Sequence, residues 1–563
     1  MGTNMEDLAG LVGNLSIAAA PLHRGQEPRR STGSHPVSLQ DAVRTLIQST
    51  NTITSQSQSI RSLTDDAKSS GNLSITEVCL LSEGIKKLTD IASHLRATVD
   101  ELHEATERSV IRRLRSLGNP CETVSRILKH FDRQIRNIVR NVLNHTSDRD
   151  VLWKVAEECY KQATNRSGIL DADDYFIALE GASLGWPYDS DFESEEYYEH
   201  ENRLDVDEGY ATAFQLQVEH RSESRRKERQ RWTDFWVRVV NNSPAGPTLF
   251  YPPASFHAQH LRFEAVPKYL FRTFDDASSG ISDQSVIASI ASISGSQRNS
   301  RTDILTLESR TATELLYAHL DKSCFGGEAS DNLMSWTSSL LFAIQYAVWR
   351  LTIRRCSTSD IKICVVDTRD FPQGQFAQDI WLLQAYEATA KRLSNQIRGI
   401  QWMFDSRLER GDYYNGEYLS QGAVNITSRS CIVSLEQLIQ AGLFQLYPEF
   451  DDPEGRRQWT KRVIQLRQNW SAEQVTTDRE IELAVRIARN CFTRFEANDI
   501  ALVLLTFKNR RCKAQKRTSN VDHVNERLPG WADKPDEVRR YWIATEAINS
   551  SHHMTLLDLL FLL

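Results

Sequence analysis

The chain has 563 residues and carries 67 Lys and Arg against 74 Asp and Glu, a net charge of −7. No overall basic field exists to hold nucleic acid or an anionic membrane. With 40% apolar and 25% charged residues the composition is that of an ordinary globular protein, which excludes wholesale disorder, and the length points to about three or four folded units. The nine cysteines are scattered, with no paired Cys-x-x-Cys spacing, so reduced thiols in a cytoplasmic or nuclear protein are expected, and no zinc site.

In chain order, residues 1–36 mix Gly, Pro, Ser and Arg without periodicity and read as a disordered leader with no secretory signal. Residues 37–180 read as helical. Ser38 with Asp41, and Ser74 with Glu77, have the capping-box spacing that satisfies the first free N–H groups of a helix. After the second cap, Val78, Leu81, Ile85, Leu88, Ala92, Leu95, Val99 and Leu102 form a heptad seam. A hairpin turning at residues 69–72 would bury that seam against the weaker stripe of the first segment (Leu39, Val43, Leu46, Thr50, Ile53, Ser57 and Ile60) and against a third helix carrying Val124, Leu128, Phe131, Ile135, Ile138 and Val142. Two readings follow: a self-contained bundle, or a coiled coil for self-association or for docking a protein partner.

The acidic block at 189–208 and the basic block at 221–231 place a charged linker over 181–231. Residues 245–446 then alternate short strands (Tyr269–Phe274, 361–367, 431–435) with helices (340–351, 379–403), the pattern of an α+β domain. The serine-rich stretch 278–300 reads as a disordered insertion in it. Residues 447–563 return to helix. The basic cluster from Lys508 to Arg517 suits a solvated helix end or an import signal better than nucleic-acid recognition, and the apolar tail 554–563, which contains Asp558, is too short to span a bilayer. The expected architecture is thus an N-terminal all-α hairpin or bundle, a central α+β domain and a C-terminal helical region.

Phosphate-loop, dinucleotide-fold and His-Glu-x-x-His motifs are all absent. Three separated pieces remain. Arg272 sits at the centre of the apolar Tyr-Leu-Phe-Arg-Thr-Phe strand, where a guanidinium pairs with a buried carboxylate or holds a phosphate. Ser335-Trp336-Thr337-Ser338-Ser339 ends a strand and enters a helix, so its hydroxyls are N-cap candidates. Glu417 opens an apolar strand after the aromatic loop Asp412-Tyr413-Tyr414-Asn415.

In this order the pieces resemble the Arg, Ser-Thr-Ser, Glu signature of mono-ADP-ribosyltransferases of the cholera and pertussis toxin type. The same phrases resemble an uncharacterised domain of filamentous fungi. The first resemblance implies NAD as substrate and no metal. Glu417 would be the catalytic carboxylate, stabilising the oxocarbenium-like centre formed as nicotinamide leaves. Arg272, Ser335, Thr337 and Ser338 would bind NAD or shape its pocket, while Tyr413, Tyr414 and Asn415 would meet the acceptor. Trp336 stands where the family has its first serine, so the hydrogen bond to Glu417 falls to Ser335, to Thr337 or to neither. Asn415 stands where arginine-modifying members carry a second Glu, which leaves another acceptor or simple NAD hydrolysis. The competing expectation is a catalytically inactive scaffold of the same fold, with Trp336 filling the nicotinamide position or Arg272 closed onto Glu417.

Overall fold

The computed structural model describes residues 39–70, 74–146, 150–165, 167–182, 195–253, 256, 263–293, 301–321, 331–409, 414–510 and 534–550. The expected leader, residues 71–72 of the expected hairpin turn, most of the C-terminal basic cluster and the apolar tail lie outside these residues. The chain groups into two units, residues 1–116 with 129–155, and residues 117–128 with 156–563.

The N-terminal helices are α1 (Leu39–Ser70), α2 (Ile75–Gly118), α3 (Glu122–His130) and α4 (Asp132–His145). The single third helix expected over 124–142 is two, interrupted at Phe131, where ψ opens to 13°. The heptad seam is not buried as expected: Val78, Ile85 and Val99 are exposed, and burial along α2 begins only at Glu107 and Val110. The cause lies in α1, whose Thr50, Thr54 and Ser59 turn their hydroxyls onto their own helix carbonyls. Such a helix offers little apolar area to cover a seam.

The expected linker at 181–231 is largely helix: α5 (Val151–Thr164) and α6 (Ala172–Ala182) are followed by α7 (Glu195–Val206) and α8 (Glu208–Asn242). Asp207 caps α8 by accepting from the Tyr210 N–H at 3.0 Å. Pairs such as Lys227 with Glu223 solvate its charged stretch, and Trp232, Phe235, Trp236 and Val240 anchor its last turns in the interior. Charge blocks therefore marked solvent-facing helix rather than loop.

The remaining elements through residue 446 are β1 (Tyr269–Phe274), β2 (Ile281–Ser282), β3 (Val286–Ala288), α9 (Ile290–Ile293), α10 (Ser309–Asp321), β4 (Leu333–Thr337), α11 (Leu340–Arg354), β5 (Lys362–Asp367), β6 (Ala377–Gln378), α12 (Asp379–Leu393), α13 (Ile400–Glu409), β7 (Glu417–Gln421), β8 (Ala423–Asn425), β9 (Ser430–Ser434), α14 (Leu435–Ala441) and α15 (Leu443–Leu446). The described part of the serine-rich insertion, residues 278–293, is folded rather than disordered, because β2 and β3 pair with β8 in a small second sheet; residues 294–300 lie outside the described residues. The helix expected over 379–403 is divided between α12 and α13.

The main sheet is antiparallel in the order β6-β7-β4-β1-β5-β9. Period-two alternation places Leu270, Phe274, Met334, Trp336, Cys364, Val366 and Tyr418 in one apolar cluster across one face. The opposite face is divided. Tyr269, Phe271, Ile363, Val365 and Val433 pack under α11 and the helices that follow the sheet, whereas Leu333, Ala377 and Leu419 pack under α10, α12 and α13. A single register pair, Phe271 with Thr337, joins β1 to β4, so the sheet opens where the two helical layers part.

After α15 come α16 (Thr460–Asn469), α17 (Asp478–Cys491), α18 (Ala497–Leu505) and α19 (Asp536–Ser550). They do not form a separate core: Val463, Leu466, Trp470, Ile487, Leu504 and Phe507 belong to the cluster that buries Phe271 and Val365. A boundary at 446 cuts through that cluster. A fragment of residues 245–446 should therefore show no cooperative thermal unfolding by calorimetry, while residues 156–563 should unfold in a sharp transition. An equally sharp transition in the short fragment would contradict this description of the core.

Asp303 ties the layers together by accepting from the Tyr251 N–H, the Leu305 N–H and Gln421 Nε2 at 2.8 to 3.1 Å. Burial raises its pKa to about 6 against these bonds, above the ordinary ~3.9 of an unfolded carboxyl. The folded form binds more protons between these values, so this group's contribution to stability is full below about pH 4 and is lost as pH rises through about 6. The urea stability of wild type minus that of D303N should fall by roughly 2–3 kcal/mol across that window and stay flat above it. A difference independent of pH would refute the assignment.

Candidate active-site cleft

The opening between β1 and β4 is a cleft of about 740 Å³. Phe271, Arg272 and Thr273 come from one edge, Leu333 to Thr337 from the other, with Glu417 and Asn415 beyond. Residues of α10 and α13 close one side and Phe342, Ala343 and Tyr346 of α11 the other.

Glu417 stands opposite Thr337 in the ladder and is part-buried. The turn that delivers it needs glycine: Gly416 has φ +66°, and a Cβ there would run into the Ser338 hydroxyl and come within 3.0 Å of Pro535. Thr337 Oγ1 donates to the Asn415 carbonyl at 2.6 Å, and the Ser338 N–H donates to the Gly416 carbonyl at 2.8 Å. These two hydroxyl residues secure the strand entry. Thr337 borders the cleft, whereas Ser338 is buried behind it. Ser339, not one of the expected site residues, caps α11 by accepting from the Phe342 N–H at 3.0 Å and donates to Glu537 of α19. Arg467 holds Glu537 and also donates to the Tyr414 carbonyl at 2.9 Å.

The carboxylate of Glu417 meets Arg407, whose Nη1 donates to its Oε2 at 2.7 Å and to Asp379 Oδ2 at 2.8 Å. Burial opposes ionisation of Glu417, but the charge and hydrogen bond of Arg407, helped by the Ser335 hydroxyl and by His319, pull its pKa below the ordinary value. Asp379 is fully buried, and burial, reinforced by the negative charge of Glu417, pushes its pKa up to about 7 despite Arg407. The site thus keeps one carboxylate firmly ionised beside one poised near neutrality.

Arg272 does not reach Glu417. Its Nη1 donates to the Ser335 carbonyl at 2.7 Å, across the opening that the β1–β4 ladder leaves, and burial lowers its pKa. Its Nε is buried without a hydrogen-bond partner, and among the described residues it faces no carboxylate within ion-pair distance. Asn415 Oδ1, also at the cleft, is likewise buried and unpartnered. Both atoms are suited to a polar ligand. Trp336 does not plug the cleft: its indole is 2% exposed, donates to Ser420 Oγ at 2.8 Å and packs edge-on against Phe376, in the cluster across the sheet.

Tyr413 lies outside the described residues. Tyr414 borders the cleft, but its hydroxyl is turned inward, donating to Asp379 Oδ1 at 3.1 Å and accepting from Gln378 Nε2 at 2.8 Å. Burial raises its pKa well above that of a free phenol, so it acts as a strut rather than an acceptor contact.

Several cleft residues had no motif to announce them. Arg407, Asp379, His319 and Asp331 are scattered over nearly ninety positions, and none has a distinctive local pattern. An aromatic wall also went unread: Phe342, Tyr346 and Trp349 recur at helical spacing on α11, Tyr346 stacks on Trp349 at 5.5 Å, and Trp459 leans on both. Trp402, 64% exposed, stands at the cleft on α13. The helical repeat of aromatics was a usable signal, overshadowed by its ordinary reading as core.

Residues 265–438 match the family model described as a domain of unknown function, DUF7587. No curated protein matches the chain, and no solved structure does. The matched segment contains Arg272, Ser335 and Glu417 and stops short of the helices that complete their core.

Removing Arg407 should leave Glu417 and Asp379 facing each other without a cation. R407A is expected to lower the urea stability of the full chain by about 3–5 kcal/mol, and R407K by clearly less. A loss for R407A below about 1 kcal/mol would show that the triad is not a closed ion network.

Proposed function

We propose that the cleft binds NAD and that Glu417 promotes cleavage of the nicotinamide–ribose bond, with ADP-ribose passing to water or to a macromolecular acceptor. One observation carries this reading: Arg272, a buried arginine with, among the described residues, an orphaned Nε and no carboxylate within ion-pair distance, opens on the same cleft as an ionised glutamate. A ligand that fits both ends carries a phosphate for the guanidinium and a centre that develops positive charge for the carboxylate. The pyrophosphate and the nicotinamide ribose of NAD have that order of charge. The aromatic wall supplies planar faces for a base.

In the reaction the C–N bond to nicotinamide breaks with its electron pair leaving on nicotinamide, and the ribosyl centre becomes cationic. Glu417 stabilises that charge through space. A nucleophile, water or an acceptor group, then adds to the same carbon and releases its proton to solvent. Arg272 and Asn415 hold and orient the substrate, and Ser335 steadies the carboxylate. With Ser338 behind the wall and Tyr414 engaged with Asp379, acceptor contact falls to Trp402 and Asn415.

A second reading is favoured by a specific contact. Arg407 already neutralises Glu417, and a glutamate kept in that pair binds a nucleotide without turning it over. The full chain separates the two. Nicotinamide release from NAD should fall by at least about 100-fold in E417Q, and calorimetric NAD affinity should fall about 10-fold or more in R272A. Binding that depends on Arg272 without release would select the silent module. Absence of both binding and release would overturn the assignment to NAD.

A further inference from the structure

Directly behind Ser335 lies a group that the three motif strands do not supply. His319, near the end of α10, has Nδ1 2.8 Å from Asp331 Oδ1 and Nε2 2.9 Å from Ser335 Oγ. The histidine is 3% exposed and the aspartate 5%, yet both border the cleft. Ser335 and Glu417 stand diagonally on one face of the β4–β7 ladder and both border the cleft, and the serine hydroxyl and the charge of His319 both favour the ionised form of Glu417. A continuous line of polar groups therefore runs from Asp331 through His319 and Ser335 to Glu417.

Counting hydrogens along this line gives it two states. A serine hydroxyl has one hydrogen to donate, and the Asp331 carboxylate holds a hydrogen on Nδ1 of His319 in either state. When the imidazole is neutral, its bare Nε2 must accept, so the Ser335 hydrogen points at His319 and the lone pairs of Oγ face the Glu417 carboxylate. When the imidazole is protonated, Nε2–H donates to Ser335 Oγ and the hydroxyl hydrogen turns to Glu417. One proton enters from solvent, and no bond to carbon forms or breaks.

The charged groups facing this imidazole come from several elements. Asp331 precedes β4, Glu417 lies on β7 beyond Ser335, and Arg407 on α13 donates to the carbonyl of Leu320, next to His319, at 3.2 Å.

We propose that His319 is a positioning residue for Glu417, and that the line Asp331, His319, Ser335 delivers the Ser335 hydroxyl hydrogen to that carboxylate when the imidazole is protonated. The relay is a property of the resting protein. Its catalytic consequence rests on the NAD-cleaving reading: turnover falls as pH rises through the titration of His319, because Glu417 then loses its donor.

The test follows His319 by NMR in the full chain carrying histidine labelled with carbon-13 at ring position ε1, its signal identified by its absence in H319Q. The titration midpoint should fall by about half a pH unit or more in E417Q, and likewise in D331N. In an S335A background the E417Q shift should shrink to less than half, and S335T should restore it. A midpoint indifferent to E417Q, or an E417Q shift of the same size with and without the serine hydroxyl, overturns the relay. In parallel, nicotinamide release by wild type should decline on the alkaline side at the His319 midpoint. H319Q, whose amide keeps an N–H aimed at Ser335, should lose that decline. Coupling in the NMR with no release from NAD leaves the relay standing and sinks the NAD-cleaving reading. Release without coupling sinks the relay alone.

Discussion

The guanidinium of Arg407 joins four elements at one point. It is carried by α13, donates to Asp379 at the start of α12 and to Glu417 at the start of β7, and reaches the carbonyl of Leu320 on α10. Two carboxylates brought together in a largely buried place repel each other and lose water, so neither position is tenable without that cation. The floor of the cleft is held by one side chain shared among competing partners. The asymmetry between its two carboxylates follows from their company: Glu417 has Ser335 and His319 beside it as well as Arg407, whereas Asp379 is buried against the charge of Glu417.

A second constraint sets where the cleft lies. One face of the sheet is covered by a continuous apolar cluster, but the other is covered by two groups of helices that follow different strands. Between them the β1–β4 ladder is reduced to a single register pair. An opened ladder leaves backbone groups without partners, and Arg272 meets one of them, the Ser335 carbonyl. The arginine is therefore structural at its Nη1 and, among the described residues, without a hydrogen-bond partner at its Nε.

The C-terminal helices enter this arrangement as part of the core. Trp470, Leu504 and Phe507 share a cluster with Phe271 of the Arg272 strand. Glu537 of α19 links Ser339 to Arg467, which holds the carbonyl of Tyr414 three residues before Glu417. The family match ends at residue 438, so the helices that complete the core and brace the strand of Glu417 lie beyond it.

The main strands, the helix entered at Ser339 and the three pieces holding Arg272, Ser335 and Glu417 were legible in the amino-acid order, because each is a local pattern of alternation, capping or composition. The amphipathic seam of α2 was legible too, but not that it stays exposed, since burial depends on what a second helix offers. The charged blocks around residue 200 misled for a related reason: charge density reports contact with water, which a surface helix has as fully as a loop. What no local pattern contained was the company of each polar side chain. That Glu417 pairs with Arg407 rather than Arg272, that Trp336 turns into the core, and that His319 and Asp331 stand behind Ser335 are outcomes of sheet order and layer packing. Local order in the chain thus set the main strands and the apolar faces. Which charges meet was set by packing, because ion pairing depends on distance in space and chain separation carries no record of it.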